Sequence, residues 1–215
     1  RYFEHRTSLI ESPADGKLPP VTAETARIRA ARAAAPARRP ESAAEMAVTD
    51  RCISYGVPDL FASYMSLYRI VQTPDTVAIE MEKIHDVRII PLDGRPHLNQ
   101  GIRPWLGDSR GRWEGDTFVV NSNGFEESTW LDQYGSPHSD EMTVEERYRR
   151  VSRDRLEMTL NITDPKTYKG TWKGDKKIFQ RVEKPRSVFN DFDENICAYS
   201  EVKLHGKEWD KVHPK

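Results

Sequence analysis

From Tyr68 to Glu183 the chain alternates apolar and polar residues in short runs, and turn signals interrupt the alternation at close intervals. Successive side chains of a β-strand point to opposite faces, so a period of two sets one row against a core and the other in solvent. Over residues 76–83, Val77, Ile79 and Met81 share one face, and Ala78, Glu80 and Glu82 share the other. Over residues 155–163, Leu156, Met158, Leu160 and Ile162 form a second apolar row. The breaks carry turn chemistry: Pro74-Asp75, Asp93-Gly94, Glu114-Gly115-Asp116, Ser152-Arg153-Asp154 and Asp164-Pro165. About eight strands joined by such turns predict one up-and-down antiparallel sheet. A sheet of this kind curls or closes into a barrel, which removes its unpaired edges. Two longer connections, residues 95–109 and 123–141, interrupt the series, the first reading as a loop or lid.

The first 66 residues have a different character and read as an irregular and helical arm. Pro13, Gly16, Pro19 and Pro20 keep the start extended and irregular. An alanine- and arginine-rich helix is expected from Ala23 to Ala35, with Thr22 as its N-cap and Glu24 in its first turn. Pro36 and Pro40 end it. Alanine buries little area, so such a helix needs a surface to lie on. Arg27, Arg29, Arg32, Arg38 and Arg39 make the stretch basic, and Leu60, Phe61, Tyr64 and Met65 form an apolar patch. The arginines read either as a solvated helix face or as contacts to an acidic partner or anionic lipid. The predicted organisation is an arm over 1–66, a β-domain over 67–200 and a tail over 201–215.

Charge and motif content narrow the functional classes. Basic and acidic residues number 33 and 34, so no global field draws the chain to nucleic acid. No apolar run approaches the roughly 20 residues that a transmembrane helix needs. No basic-then-apolar leader follows Arg1, and a removed signal peptide or a trimmed start would each account for that. A Gly-rich phosphate loop, a Gly-x-Ser-x-Gly elbow and a His-Glu-x-x-His motif are all missing from the sequence. No cofactor is implied. His85, His97 and His138 match no standard metal spacing, so no metal site is assigned.

The remaining candidates are side chains that a β-fold brings together. His85 beside Asp86 and Arg88, together with Asp132 and His138 from the long connection, form the candidate acid–base set. The competing reading is that they pin the long loop by hydrogen bonds. Glu146 shares a strand face with Met142, Val144 and Tyr148. A carboxylate there needs a partner, and Arg88 or Arg112 supplies one. Its alternative role is that of an acid with a raised pKa. Arg88 and Glu146, with Trp105, Trp113 and Trp130, are the candidate ligand-binding residues. The three tryptophans and Trp172 are placed at a cavity mouth or in core packing.

Several segments together carry a family resemblance: residues 68–74, the Ile90 to His97 stretch, Gly107 to Thr117 with its Arg112-Trp113-Glu114-Gly115-Asp116-Thr117 core, Thr129-Trp130-Leu131-Asp132, Pro137-His138-Ser139, Glu146-Arg147 and Asp164-Pro165. Over about residues 50–200 the chain resembles a large group of uncharacterised bacterial exported proteins. The resemblance implies a lipocalin-like barrel and a periplasmic or secreted location. The Ser-Gly-x-Trp opening common in that group is missing here, so the first strand differs or lies elsewhere. Two lone cysteines in an exported chain predict a Cys52–Cys197 disulfide, whereas in a cytoplasmic protein each would be a buried thiol. The expected function is extracytoplasmic. The chain serves as a binding or accessory domain that docks on a partner protein through residues 1–66 or holds a small ligand. The alternative is an enzyme using His85, Asp132 and His138 on a small molecule in the barrel mouth.

Overall fold

Each of these turn signals lies between two strands. The computed structural model describes residues 10–34, 53–54, 56–58, 67–82, 85–99, 101–129, 131 and 136–182. Over these the protein is mainly β. The strands are β1 (Ile10–Ser12), β2 (Tyr68–Gln72), β3 (Thr76–Met81), β4 (Val87–Pro91), β5 (Asp108–Glu114), β6 (Thr117–Asn123), β7 (Thr143–Ser152), β8 (Arg155–Thr163), β9 (Trp172–Gly174) and β10 (Lys177–Gln180). One helix, α1 (Ala23–Ala34), stands among them. All strand pairs are antiparallel.

The expected single sheet is instead two. A seven-stranded sheet runs β1-β9-β8-β7-β6-β5, with β10 also on β8, and a separate three-stranded sheet runs β2-β3-β4. No ladder joins β4 to β5, and among the described residues the strands do not close into a barrel. The physical cause lies in the β4–β5 connection. Pro91 ends β4 and has no N–H to extend a ladder. Residues 92–107 then leave the sheet before β5 begins. The order is also not a simple meander. β7 occupies one edge of β8, so β9, opposite Asn161 and Ile162, and β10, opposite Arg155 to Met158, share the other.

The sheets face each other through one row of inward side chains. Val77, Ile79 and Ile90 from the small sheet pack on Phe118 and Val120 from the large one. A second cluster under β7, β8 and β9 gathers Phe125, Leu131, Met142, Val144, Met158, Leu160, Ile162, Tyr168 and Trp172. Most of the predicted apolar rows are buried; Met81 and Leu156 are half-buried. Gly111 lets the sheets approach: a methyl there would sit 2.7 Å from both Leu92 Cδ2 and Phe118 Cε2.

The N-terminal segment adds to the large sheet where an irregular stretch was expected. Ile10 pairs with Gly174, and its side chain enters the core. Lys169 N–H donates to Pro20 O at 2.8 Å, and Thr22 N–H to Thr167 O at 2.9 Å. Thr22 then caps α1, its Oγ1 accepting from the Thr25 N–H at 3.3 Å. Among the described residues no helix is long and apolar enough to cross a membrane. Cys52, Cys197, Phe61, Tyr64, Trp130, Asp132 and the 201–215 tail lie outside the described residues.

Candidate functional site

Strand register sets a polar row inside the apolar interface. Arg88 lies opposite Ile79, and Ser109 opposite Ser122. Glu146 lies between Val120 and Leu160 on its two neighbouring strands. All point between the sheets. Arg88 Nη2 lies 2.5 Å from Glu146 Oε2. The same guanidinium donates from Nε to Ser109 Oγ at 2.9 Å and from Nη2 to Ser122 Oγ at 2.7 Å. Tyr148 OH donates to Glu146 Oε1 at 3.0 Å. The two charged side chains are only 7% and 5% exposed, so water contributes little to their solvation and the pair itself neutralises them.

Burial, the largest single influence, would lower the Arg88 pKa, but the charge and hydrogen bond of Glu146, joined by Tyr148, together outweigh it and keep it above the ordinary arginine value. Burial first, and then the Glu146 charge, push the Tyr148 phenol well above its ordinary value. Tyr148 therefore stays a neutral donor. Of the two partners expected for Glu146, Arg88 is the one found. Arg112 lies on the opposite face, where it pairs with Glu114 at 2.6 Å. Glu114 also takes Arg147 at 2.5 Å. Val119, between those arginines in the register, is fully buried.

Around this row the sheets part. A small chamber of about 60 Å³ is bounded by Arg88, Glu146, Tyr148, Met81, Val57 and Met158, among others. Tyr68, Ile70, Ile79, Tyr148, Leu156, Lys177 and Phe179 border both it and a cleft of about 890 Å³ that opens to solvent between β2 and β10. The cleft is also lined by Trp113, Phe118 and Val77. The Tyr68 and Phe179 rings meet edge to face, 5.3 Å apart, linking the two facing strands.

The expected ligand residues divide accordingly. Arg88 and Glu146 border the chamber, and Trp113, 48% exposed, lines the cleft. Trp105 is engaged elsewhere, its Nε1 donating to Ser54 O at 2.9 Å. Trp172 has no exposure and packs against Tyr168, so it belongs to the core and not to a cavity mouth.

Of the expected acid–base residues, the described ones, His85 and His138, lie apart from the cleft, and Asp132 lies outside the described residues. His85 sits in the β3–β4 turn at φ 56°, a left-handed conformation uncommon outside glycine. His138 is buried on the other polar cluster, its Nε2 2.5 Å from Thr129 Oγ1 and its Nδ1 3.1 Å from Ser139 O. Among the described residues neither histidine lines the cleft or its chamber.

Burial, the largest influence, lowers the His138 pKa, partly opposed by Ser139 O and Asp164. Each ring nitrogen has an oxygen partner: Nδ1 faces the Ser139 carbonyl, and Nε2 faces the Thr129 hydroxyl, which itself donates to Glu126 O at 2.8 Å. Both nitrogens are thereby used, and the ring holds the loop. Asp164 reinforces it, accepting from Ser139 N–H and Oγ–H, each at 2.6 Å. Tyr168 OH closes the same tie on Pro137 O at 2.9 Å.

A pH test follows. The folded-state pKa of His138 lies below its ordinary 6.5, so the unfolded chain binds more protons as pH falls. Its stabilising contribution is full above about pH 6.5 and is lost as pH drops through the folded value. His138→Gln should cost about 1–3 kcal/mol at pH 8, the scale of a buried polar partner lost. It should also remove part of the acid slope in denaturation midpoints. An unchanged slope would assign the acid response to other groups.

The described residues hold no cluster of three or more His, Cys, Asp or Glu arranged for a metal. The sequence reading missed Ser109 and Ser122, whose small polar side chains on inward positions were the available signal. It also missed Tyr68 and Phe179, because nothing local shows that β2 faces β10. No family model, curated protein or solved structure matches the chain.

Proposed function

We propose that the protein is an extracytoplasmic binding domain that holds a small, largely apolar molecule between its two sheets. The observation that carries this reading is the cleft of about 890 Å³ with Tyr68, Ile70, Trp113, Phe118, Tyr148 and Phe179 in its walls. Small-molecule sites span about 300–1,000 Å³ and combine apolar walls with a few polar groups. In this reading the arrangement is a lipocalin-like barrel left open along the β2–β10 seam, and the opening is the ligand entrance. The Arg88–Glu146 pair stabilises the inner wall without offering a net charge. Export accords with the resemblance to secreted bacterial proteins.

A neutral naphthylamine dye, fluorescent only in apolar surroundings, tests the reading. The dye should bind saturably. Ile70→Asp adds a charge to the cleft wall at a residue 47% exposed, so the fold should survive. It should weaken dye binding by about tenfold or more, a loss of at least 1.4 kcal/mol. Ile89→Asp, on the outer face of the small sheet and 56% exposed, should leave binding unchanged. Absence of saturable binding, or equal effects of the two variants, would refute the assignment.

A further inference from the structure

We infer that the cleft selects a medium-chain carboxylate, held with its chain between the sheets and its headgroup at the β7–β8 turn. The inference rests on the binding function proposed above and names its ligand class.

Charge distribution is the first ground. The protein as a whole carries a formal charge of −1. The described lining of the cleft has six cationic residues against the two acids Asp116 and Asp154. Neighbouring carboxylates account for part of the excess. Arg69 pairs with Glu80 at 2.8 Å and Arg155 with Glu157 at 2.6 Å. Asp154 lies 3.9 Å from Arg153, and Asp116 is taken by Arg149 at 3.0 Å. Arg150 and Arg181 form no ion pair among the described residues.

Position is the second ground. Arg150 donates from Nε to Ser152 O at 3.1 Å and from Nη2 to Arg153 O at 2.6 Å. These bonds fix the guanidinium at the turn and leave its charge unmatched. The Arg181 backbone N–H donates to Asp154 O at 2.8 Å, which brings the second arginine to the same turn. Two arginine residues at this turn, both lining an aromatic-walled cleft, suit a planar two-oxygen anion, because their forked donors match carboxylate geometry. The inner end cannot take the headgroup, since Glu146 already neutralises Arg88 there. The chain of an amphiphile therefore points inward and its anion outward.

Displacement of the bound naphthylamine dye by decanoate, decanol and decylammonium separates the possibilities. Decanoate should displace at about one-tenth the concentration of decanol, and decylammonium should be weakest. The advantage should shrink with added salt, because the rim is exposed. In Arg150→Gln/Arg181→Gln, decanoate should fall to the level of decanol, with decanol and the dye unaffected. Equal displacement by decanoate and decanol in the unaltered protein would overturn the carboxylate assignment and leave the apolar cleft standing. So would a preference for decanoate that persists in the double variant. Failure of the dye and all three competitors to bind would overturn both.

Discussion

Arg88→Met is expected to destabilise the protein by about 3–5 kcal/mol, the cost of leaving a buried carboxylate without its counter-charge. Glu146 is 3% exposed as a residue, and its only cationic contact among the described residues is Arg88 at 2.5 Å. With the arginine gone, Tyr148 still donates to Oε1, but one neutral hydrogen bond does not replace an ion pair. Ser109 and Ser122 would survive the change better, because their hydroxyls are 3.0 Å apart and can satisfy each other. The double variant Arg88→Met/Glu146→Leu removes both charges and should recover most of the loss, since apolar replacements of buried pairs are often near neutral. Denaturant midpoints of the two variants check this. A cost under about 1 kcal/mol for Arg88→Met would mean that water in the adjoining chamber already solvates Glu146.

Trp172→Ala should cost a similar amount, about 3–5 kcal/mol, through the cavity left by the indole. Trp172 has no exposure, sits opposite Ile162 and packs against Tyr168 with ring centroids 6.1 Å apart. Its Nε1 is buried without a hydrogen-bond partner among the described residues. Trp172→Phe therefore removes an unsatisfied donor along with some volume and should cost less than about 1.5 kcal/mol. The contrast between the two variants separates packing from polarity. Equal large losses would mean that the indole N–H has a partner in solution, such as an ordered water.

These two sites differ in how far the sequence disclosed them. Glu146 on an apolar face demanded a cation, and Arg88 was one of the two proposed, because burial of a charge constrains its surroundings strongly. For Trp172, as for the other tryptophans, the sequence leaves a cavity mouth and core packing both open. The three-residue strand of Trp172 is too short to show a period. The hairpins were legible because two-residue turns such as Gly115-Asp116, with Gly115 at φ 62°, carry local chemistry. The division into two sheets was not. Pairing between strands distant in sequence depends on which edges remain free, and residues 92–107 hide that from any local pattern. The same limit hid β1, whose Ile10 is recruited by Gly174 across the length of the chain. The cleft was illegible for this reason too: its walls come from β2, β3, β5, β6, β7, β8 and β10, and only the fold brings Tyr68 to Phe179.

His138, an acid–base candidate or a loop pin in the sequence, holds the long connection through both ring nitrogens. The Pro137-His138-Ser139 and Asp164-Pro165 segments, far apart in sequence, meet through the Ser139–Asp164 hydrogen bonds. Asp108 ties the Arg95-Pro96-His97 segment in the same way, 2.8 Å from His97 Nδ1 and accepting the Leu98 N–H at 2.9 Å. Burial would raise its carboxyl pKa, yet the Leu98 N–H, His97 and Arg110 hold it below the ordinary value. These segments fasten the long connections to the sheets.

Photolabelling with a neutral alkyl diazirine, followed by peptide mapping, tests the cleft most directly. The predicted adducts fall on β2 and β10, within Tyr68–Gln72 and Lys177–Gln180, and decline when unlabelled ligand competes. Adducts confined to the outer face of the small sheet, where Val87 and Ile89 are 46% and 56% exposed, with none on β2 or β10, would contradict a ligand held between the sheets.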